Sequence, residues 1–293
     1  MATQVENGKA FEWAMGLTLE SKGFKIIQNN ASIKNKECFN KVSEEIKKLF
    51  LKNSKLAIDH ILKKEKVIEG IVKFLSDEEG QDGDVRDIVI ASKSKTFGIS
   101  CKTNHTAYKH SRLSDRANFV SKWGLDSNGC SQEYLDSVKK IFGELRAIKH
   151  DSNGKALWRD QPNVPQKFYW PVLAAFEKEI LRIQSATACA YLVQYLIGKE
   201  DFYKVVSRNN RIEITAFNIN NNLSVPLINL PDKITATRNE NGSQYAKTIT
   251  FNAGWEFNFR IHNASSRVEP SLKFDITATS LPPKLYQHHI AHE

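Results

Sequence analysis

Gly83-Asp-Val-Arg-Asp87-Ile-Val-Ile90, followed after a short polar turn by Gly98-Ile-Ser-Cys-Lys102, is the stretch on which the fold turns. The apolar triplet Ile88-Val89-Ile90 reads as a buried strand, Ser92 to Thr96 as a turn, and Phe97 to Cys101 as a second strand: a β-hairpin. Ahead of it, SDEEGQDGDVRD (residues 76–87) is acidic and contains glycine, hence a loop. Antiparallel pairing through a tight turn brings Asp87, at the mouth of one strand, to Lys102, at the far end of the other. A carboxylate beside an ammonium at a strand end can hold Mg²⁺, which takes one or two carboxylates plus waters and phosphate oxygens. The cation neutralises charge building on phosphorus, and the lysine orients a water or offsets charge in the transition state. The alternative is a surface Asp–Lys pair, which is common and worth little. Against it, Asp87 lies where a wholly apolar strand emerges, and Lys102 is followed by the polar group Thr103-Asn104-His105.

Outward from the hairpin, residues 8–22 carry an amphipathic helical pattern, with Ala10, Phe11, Ala14, Leu17 and Leu19 on its apolar side. Phe24 to Ile27 reads as a short strand. Residues 34–75 are lysine-rich and helical in period, the last group being Ile68, Ile71 and Leu75, with joints expected near Asn53 and Lys64. Helical period returns over 132–149 and 171–184. DFYKVVSRNNRIEITAFN (201–218) reads as a second hairpin, and KTITFNAGWEFNFRIHN (247–263) and LKFDITATS (272–280) alternate at period two.

Composition limits the function classes. With 293 residues, 41% hydrophobic and 26% charged, the chain is long enough for a sizeable core and ordinary for a globular protein. Its apolar runs are too short to span a bilayer and its N-terminus lacks a secretory pattern, so no membrane and a cytoplasmic location are expected. The four cysteines lack structural-zinc spacing and read as reduced thiols. The net charge of +9 favours an anionic partner.

The Asp87…Lys102 arrangement resembles the PD-(D/E)XK nuclease signature, and the wider context is similar to the HaeIII-like type II restriction endonucleases. NGKAFEWA (7–14), GDVRDIVI (83–90), GISCKTNHTAYKHSRLS (98–114) and GWEFNFRIHNASSRVEPSLKFDI (254–276) carry the resemblance. It implies an α/β (α+β) fold, a restriction-endonuclease-like mixed sheet flanked by helices, with a helical insertion and a β-rich C-terminal region. In domain terms this is a nuclease core over 1–200 with an insertion at about 30–78, and a DNA-recognition region over 201–293 packed on it. It also implies Mg²⁺-dependent hydrolysis of both strands of double-stranded DNA at the palindrome GGCC, cut between G and C to blunt ends. Asp87 takes the place of the metal-binding aspartate, Lys102 of the catalytic lysine, and Glu12 of the helix-borne glutamate that completes the metal site. Ser100 stands where the signature is usually acidic, and Asp84 is the other candidate ligand. The setting implied is a restriction-modification system with a cognate DNA methyltransferase that need not touch the nuclease. A palindrome is most simply read by a homodimer. Two rivals stay open: a structure-specific repair or junction nuclease, and a non-catalytic DNA-binding module.

DNA-binding candidates follow Lys102 directly: His105, Lys109, His110, Arg112 and Arg116, basic and aromatic residues suited to phosphates. His105 also offers a general base. In GWEFNFRIHN the apolar side is core, and the polar side places Arg260, His262 and Asn263 for base edges, with Arg267 beyond. Arg208 and Arg211 of the second hairpin stand behind them.

Overall fold

The structure is a computed structural model describing residues 2–76, 84–104 and 109–292. In chain order the first half holds α1 (Gln4–Ser21), β1 (Lys25–Ile26), α2 (Asn30–Lys41), α3 (Glu44–Glu65), β2 (Ile71–Phe74), β3 (Ile88–Ala91), β4 (Thr96–Thr103), β5 (Lys109–Leu113), α4 (Phe119–Lys122) and α5 (Gln132–Asp151). The second half holds α6 (Trp170–Arg182), α7 (Ala186–Ile197), β6 (Phe202–Ser207), β7 (Arg211–Phe217), β8 (Ile234–Asn239), β9 (Ala246–Phe251), β10 (Glu256–Asn263), β11 (Leu272–Ser280) and β12 (Gln287–Ala291). The result is the mixed α/β architecture expected. It forms two compact units that interleave in sequence, one from 1–106, 198–228 and 284–293, the other from 107–197 and 229–283.

The first unit is built on a seven-stranded sheet of order β1-β2-β3-β4-β6-β7-β12. β4 pairs antiparallel with β3 and parallel with β6, and β12 closes on β7. α1 begins with a capping box, Thr3 Oγ1 accepting from the Glu6 amide and Glu6 Oε2 from the Thr3 amide. It buries Ala10, Phe11, Ala14, Met15 and Leu19 completely. Phe11 meets Phe50 of α3 at 5.3 Å, and Trp13 stacks on Phe74 of β2 at 5.6 Å.

Gly16 makes that approach possible, because a Cβ there would sit 2.4 Å from Phe74 Cζ. Phe74 is fully buried and has nowhere to retreat. Gly16→Ala is therefore expected to lower stability by about 1–3 kcal/mol despite alanine's better helix propensity. A lowered thermal midpoint in calorimetry checks this; a raised one refutes it.

Three sequence expectations are corrected here. Ile68, Ile71 and Leu75 do not continue a helix: α3 stops at Glu65, Lys66 turns left-handed at φ 56, and β2 follows. Within β2 the buried residues are the period-two pair Val72 and Phe74, with Leu75 buried just beyond, while Ile68 is 84% exposed and Ile71 45% exposed. Asn53 is no joint but lies inside α3, buried, its Nδ2 donating to Ser207 Oγ at 2.7 Å and the Arg208 carbonyl at 3.1 Å. Finally, the units do not follow a cut at residue 200. Phe97 to Cys101 of β4 are all buried, so β4 needs a partner on each side, and β6 supplies the second. α3 in turn is no appended insertion, for Ala57, Ile58 and Ile61 belong to this unit's core.

The second unit is a five-stranded antiparallel sheet of order β5-β11-β10-β9-β8. Phe257, Phe259 and Ile261 of β10 are buried, with Phe274 and Ile276 of β11. Phe176 of α6 packs on Phe259 at 5.2 Å and on Phe274 at 5.0 Å. The four cysteines are buried free thiols. Among the described residues no helix is long and apolar enough to cross a membrane.

Candidate active site

The site forms where β3 begins and β4 ends. Asp87 is pinned by its backbone on both sides: its amide donates to the Ile99 carbonyl at 2.9 Å, and its carbonyl accepts from the Leu75 amide at 3.0 Å. With the main chain fixed, its carboxylate turns back along β4. Asp87 Oδ2 accepts from the Cys101 amide at 2.6 Å, from Ser100 Oγ at 3.2 Å and from Lys102 Nζ at 3.3 Å. The hairpin thus brings Asp87 and Lys102 together. Ser100, in the slot that is usually acidic, is a donor that orients the aspartate.

Glu12 arrives from α1 and is 4% exposed. Its Oε2 accepts from Asn35 Nδ2 of α2 at 2.8 Å and from Lys9 Nζ at 3.3 Å. Burial, then the charge of Asp87, push its carboxyl up to about 8, against the pull of Lys9, Lys102 and the Asn35 hydrogen bond. For Lys102, burial works toward the neutral amine. The charges of Asp87 and Glu12 and the hydrogen bond to Asp87 outweigh it, and the ammonium is held above its usual range. Burial and the same two carboxylates push the Cys101 thiol well up, so it stays protonated.

Burial and the neighbouring Asp87 disfavour a second negative charge on Glu12, and a divalent cation at the two carboxyl groups would make that charge favourable. The donors are hard oxygens, with the nearby thiol out of competition as a thiolate. That fits Mg²⁺, which needs few protein ligands and completes its shell with waters and phosphate oxygens. Asp84 is engaged elsewhere. Arg86 forks onto it, Nε to Oδ1 at 2.8 Å and Nη2 to Oδ2 at 2.6 Å. Among the described residues no three His, Cys, Asp or Glu side chains gather as a metal cluster, so Asp84 does not join the pair.

Sequence reasoning missed two groups here. Asn35, which orients Glu12, lies in a polar helical stretch with no motif to mark it. Lys204 of β6 is paired in register with Ser100 and buried. Burial, then the charges of Lys102 and Arg208, push its ammonium down to about 7. Its one signal was a lone charge inside the apolar run FYKVVS.

The DNA-binding candidates are distributed over both units. Arg208 and Arg211 lie in the first, at the β6–β7 turn, and share Glu213 at 3.2 and 2.7 Å. The others described lie in the second. Arg260 and His262 of β10 both meet Asp275 of β11, Arg260 Nη2 at 2.8 Å and His262 Nε2 at 3.1 Å. Asn263 Oδ1 accepts from the Tyr169 hydroxyl at 3.4 Å. Arg112 on β5, Arg116 and Arg267 are exposed. The backbones of Lys109 and His110 pair with β11; their side chains, and the whole of His105, lie outside the described residues. Exposed ion pairs such as Arg260–Asp275 contribute little to stability, so exchanging one for a phosphate or base contact costs little.

Comparison with known proteins accords with this geometry. The family model described as HaeIII restriction endonuclease matches residues 8–282. The chain is 33% identical to the type II restriction enzyme HaeIII of Haemophilus aegyptius over 306 aligned positions, 94% of each chain. No solved structure matches it. A match of that extent, spanning both the Asp87–Lys102 hairpin and the β10–β11 sheet, places the chain in the HaeIII restriction endonuclease family.

Proposed function

We propose that this protein, as a type II restriction endonuclease, hydrolyses both strands of duplex DNA at GGCC between G and C, leaving blunt ends, and needs Mg²⁺ to do so. The observation that carries the proposal is the convergence of Asp87, Lys102 and Glu12 at one end of the β3–β4 hairpin. Asp87 and Glu12 are the residues that would hold the cation; when bound, it supplies charge neutralisation at the phosphate and lowers the pKa of water. The protein's own groups do the rest. Cys101 N and Ser100 Oγ fix the Asp87 carboxylate, and Asn35 and Lys9 fix that of Glu12. Lys102 stays an ammonium, so it acts as a donor to the attacking water or to a phosphate oxygen, not as the base. The second unit grips and reads the duplex through Lys109, His110, Arg112, Arg116, Arg260, His262, Asn263 and Arg267, and His105 is a further contact to it. Arg208 and Arg211 of the first unit add further contacts to the duplex. Two copies would present the same surface to the two half-sites, and the cognate methyltransferase would protect the same sequence without binding the nuclease.

The test is to incubate the protein with a long unmethylated duplex in Mg²⁺ or in EDTA and to sequence the ends produced. Discrete blunt fragments ending in GG and CC, formed only with Mg²⁺, are expected. A smear would point to a nuclease without sequence choice. Intact DNA with site-specific binding would point to a binding module.

A further inference from the structure

Beside the catalytic strand the first unit carries a cleft of about 390 Å³, within the ~300–1,000 Å³ of small-molecule sites. Asn7 of α1, Leu49 and Phe50 of α3, Thr103 and Asn104 at the end of β4, and Asn209 of the β6–β7 turn line it. Thr103 and Asn104 directly follow Lys102, and Asn7 precedes Glu12 by under two turns of α1.

The lining chemistry is selective. Among the described residues that line it none is charged, although the chain as a whole carries +9. A phosphate subsite would be built from lysine or arginine. What is present is a set of amide and hydroxyl groups around an apolar wall, which matches a flat heterocycle with a donor–acceptor edge. Asn7 Oδ1 is buried without a hydrogen-bond partner, at a desolvation cost that rotating the Asn7 amide toward a ligand N–H in the cleft would recover. Asn104 is held at φ 55, in the left-handed region that asparagine tolerates, with its amide donating to the Ser207 carbonyl at 3.1 Å.

We infer that this cleft receives a nucleobase displaced from the duplex beside the scissile phosphate, its amino or ring N–H donating to Asn7 Oδ1 and one face lying on Phe50. The inference rests on the DNA-cleaving reading above. Extrusion forfeits stacking and pairing, which a pocket regains through the base's hydrogen-bonding edge and burial of its face.

The test uses duplexes carrying the cut site with 2-aminopurine at each position in turn, bound to the full-length protein in Ca²⁺ in place of Mg²⁺. Stacked 2-aminopurine is quenched, so one position is expected to brighten by roughly fivefold or more as its stack opens. Asn7→Leu, similar in size but without the acceptor, should remove most of that rise. Asn104→Ala, at an exposed position, serves if Asn7→Leu does not fold. Duplexes that are cut in Mg²⁺ but brighten at no position would overturn the cleft assignment and leave the nuclease reading intact. Duplexes that are not cut at all would overturn both.

Discussion

Lys102→Ala is expected to abolish cleavage, with a loss of at least about 10²–10³-fold in rate, while DNA binding changes by less than about tenfold. The ammonium lies 3.3 Å from Asp87 Oδ2 and is held charged by two carboxylates. On the proposed reading its work is done at the reacting phosphate, where charge develops, and not in holding the duplex, to which many cations contribute. Single-turnover cleavage of a labelled duplex beside a binding isotherm for the same duplex separates the two effects. A variant that still cuts at the parent rate would show the assignment to be wrong. One that loses binding and cleavage together, with an unchanged thermal midpoint, would move Lys102 to the binding surface.

The second large effect concerns Glu12 and pH. The fold raises its carboxyl from an ordinary value to about 8, so the folded state prefers the protonated acid. The corresponding stabilisation is complete below pH ~4.5 and is lost as pH rises through about 8. Without metal the protein should therefore weaken between pH 5 and pH 9, by on the order of a few kcal/mol, and Glu12→Gln should flatten that slope. Mg²⁺ should restore stability most at high pH, since a cation binds the carboxylate and releases the proton, and should do so in the parent but not in the variant. Thermal midpoints at pH 5, 7 and 9, with and without Mg²⁺, measure this without any turnover. Equal slopes in parent and variant would mean that the pH dependence arises elsewhere.

The Asp87–Lys102 hairpin was legible because its signal is local: a buried strand, a polar turn and a second strand, with Asp87 and Lys102 at the mouths. β6 and β7 were legible for the same reason, as two β-rich runs around a polar turn, and β9, β10 and β11 by their period-two alternation. β2 was not. Ile68, Ile71 and Leu75 happen to keep helical spacing, and only the left-handed Lys66 and pairing between β1 and β3 turn Val72 and Phe74 inward and leave Ile68 and Ile71 exposed. The assignment of β6 and β7 to the nuclease sheet was also hidden, because parallel pairing between β4 and β6 joins residues about a hundred positions apart and leaves no local trace. At the site, Glu12 came from family resemblance, whereas Asn35 and Lys204 depend on α2 lying against α1 and on the β4–β6 register. The commitment of Asp84 to Arg86 is a neighbour effect that spacing did not reveal.

The place of β12 has a bearing on how the enzyme comes into being. It occupies one edge of the seven-stranded sheet and pairs with β7, more than seventy residues earlier. During synthesis β7 emerges long before that partner, presenting a row of unsatisfied amides and carbonyls to any strand in reach. The sheet that contains the Asp87–Lys102 hairpin is finished only after residues 287–291 have left the ribosome, a late closure of the kind that slows folding. A nascent chain is thus an incomplete cutter for most of its translation, and the interval before DNA is at risk is set by topology as well as by expression.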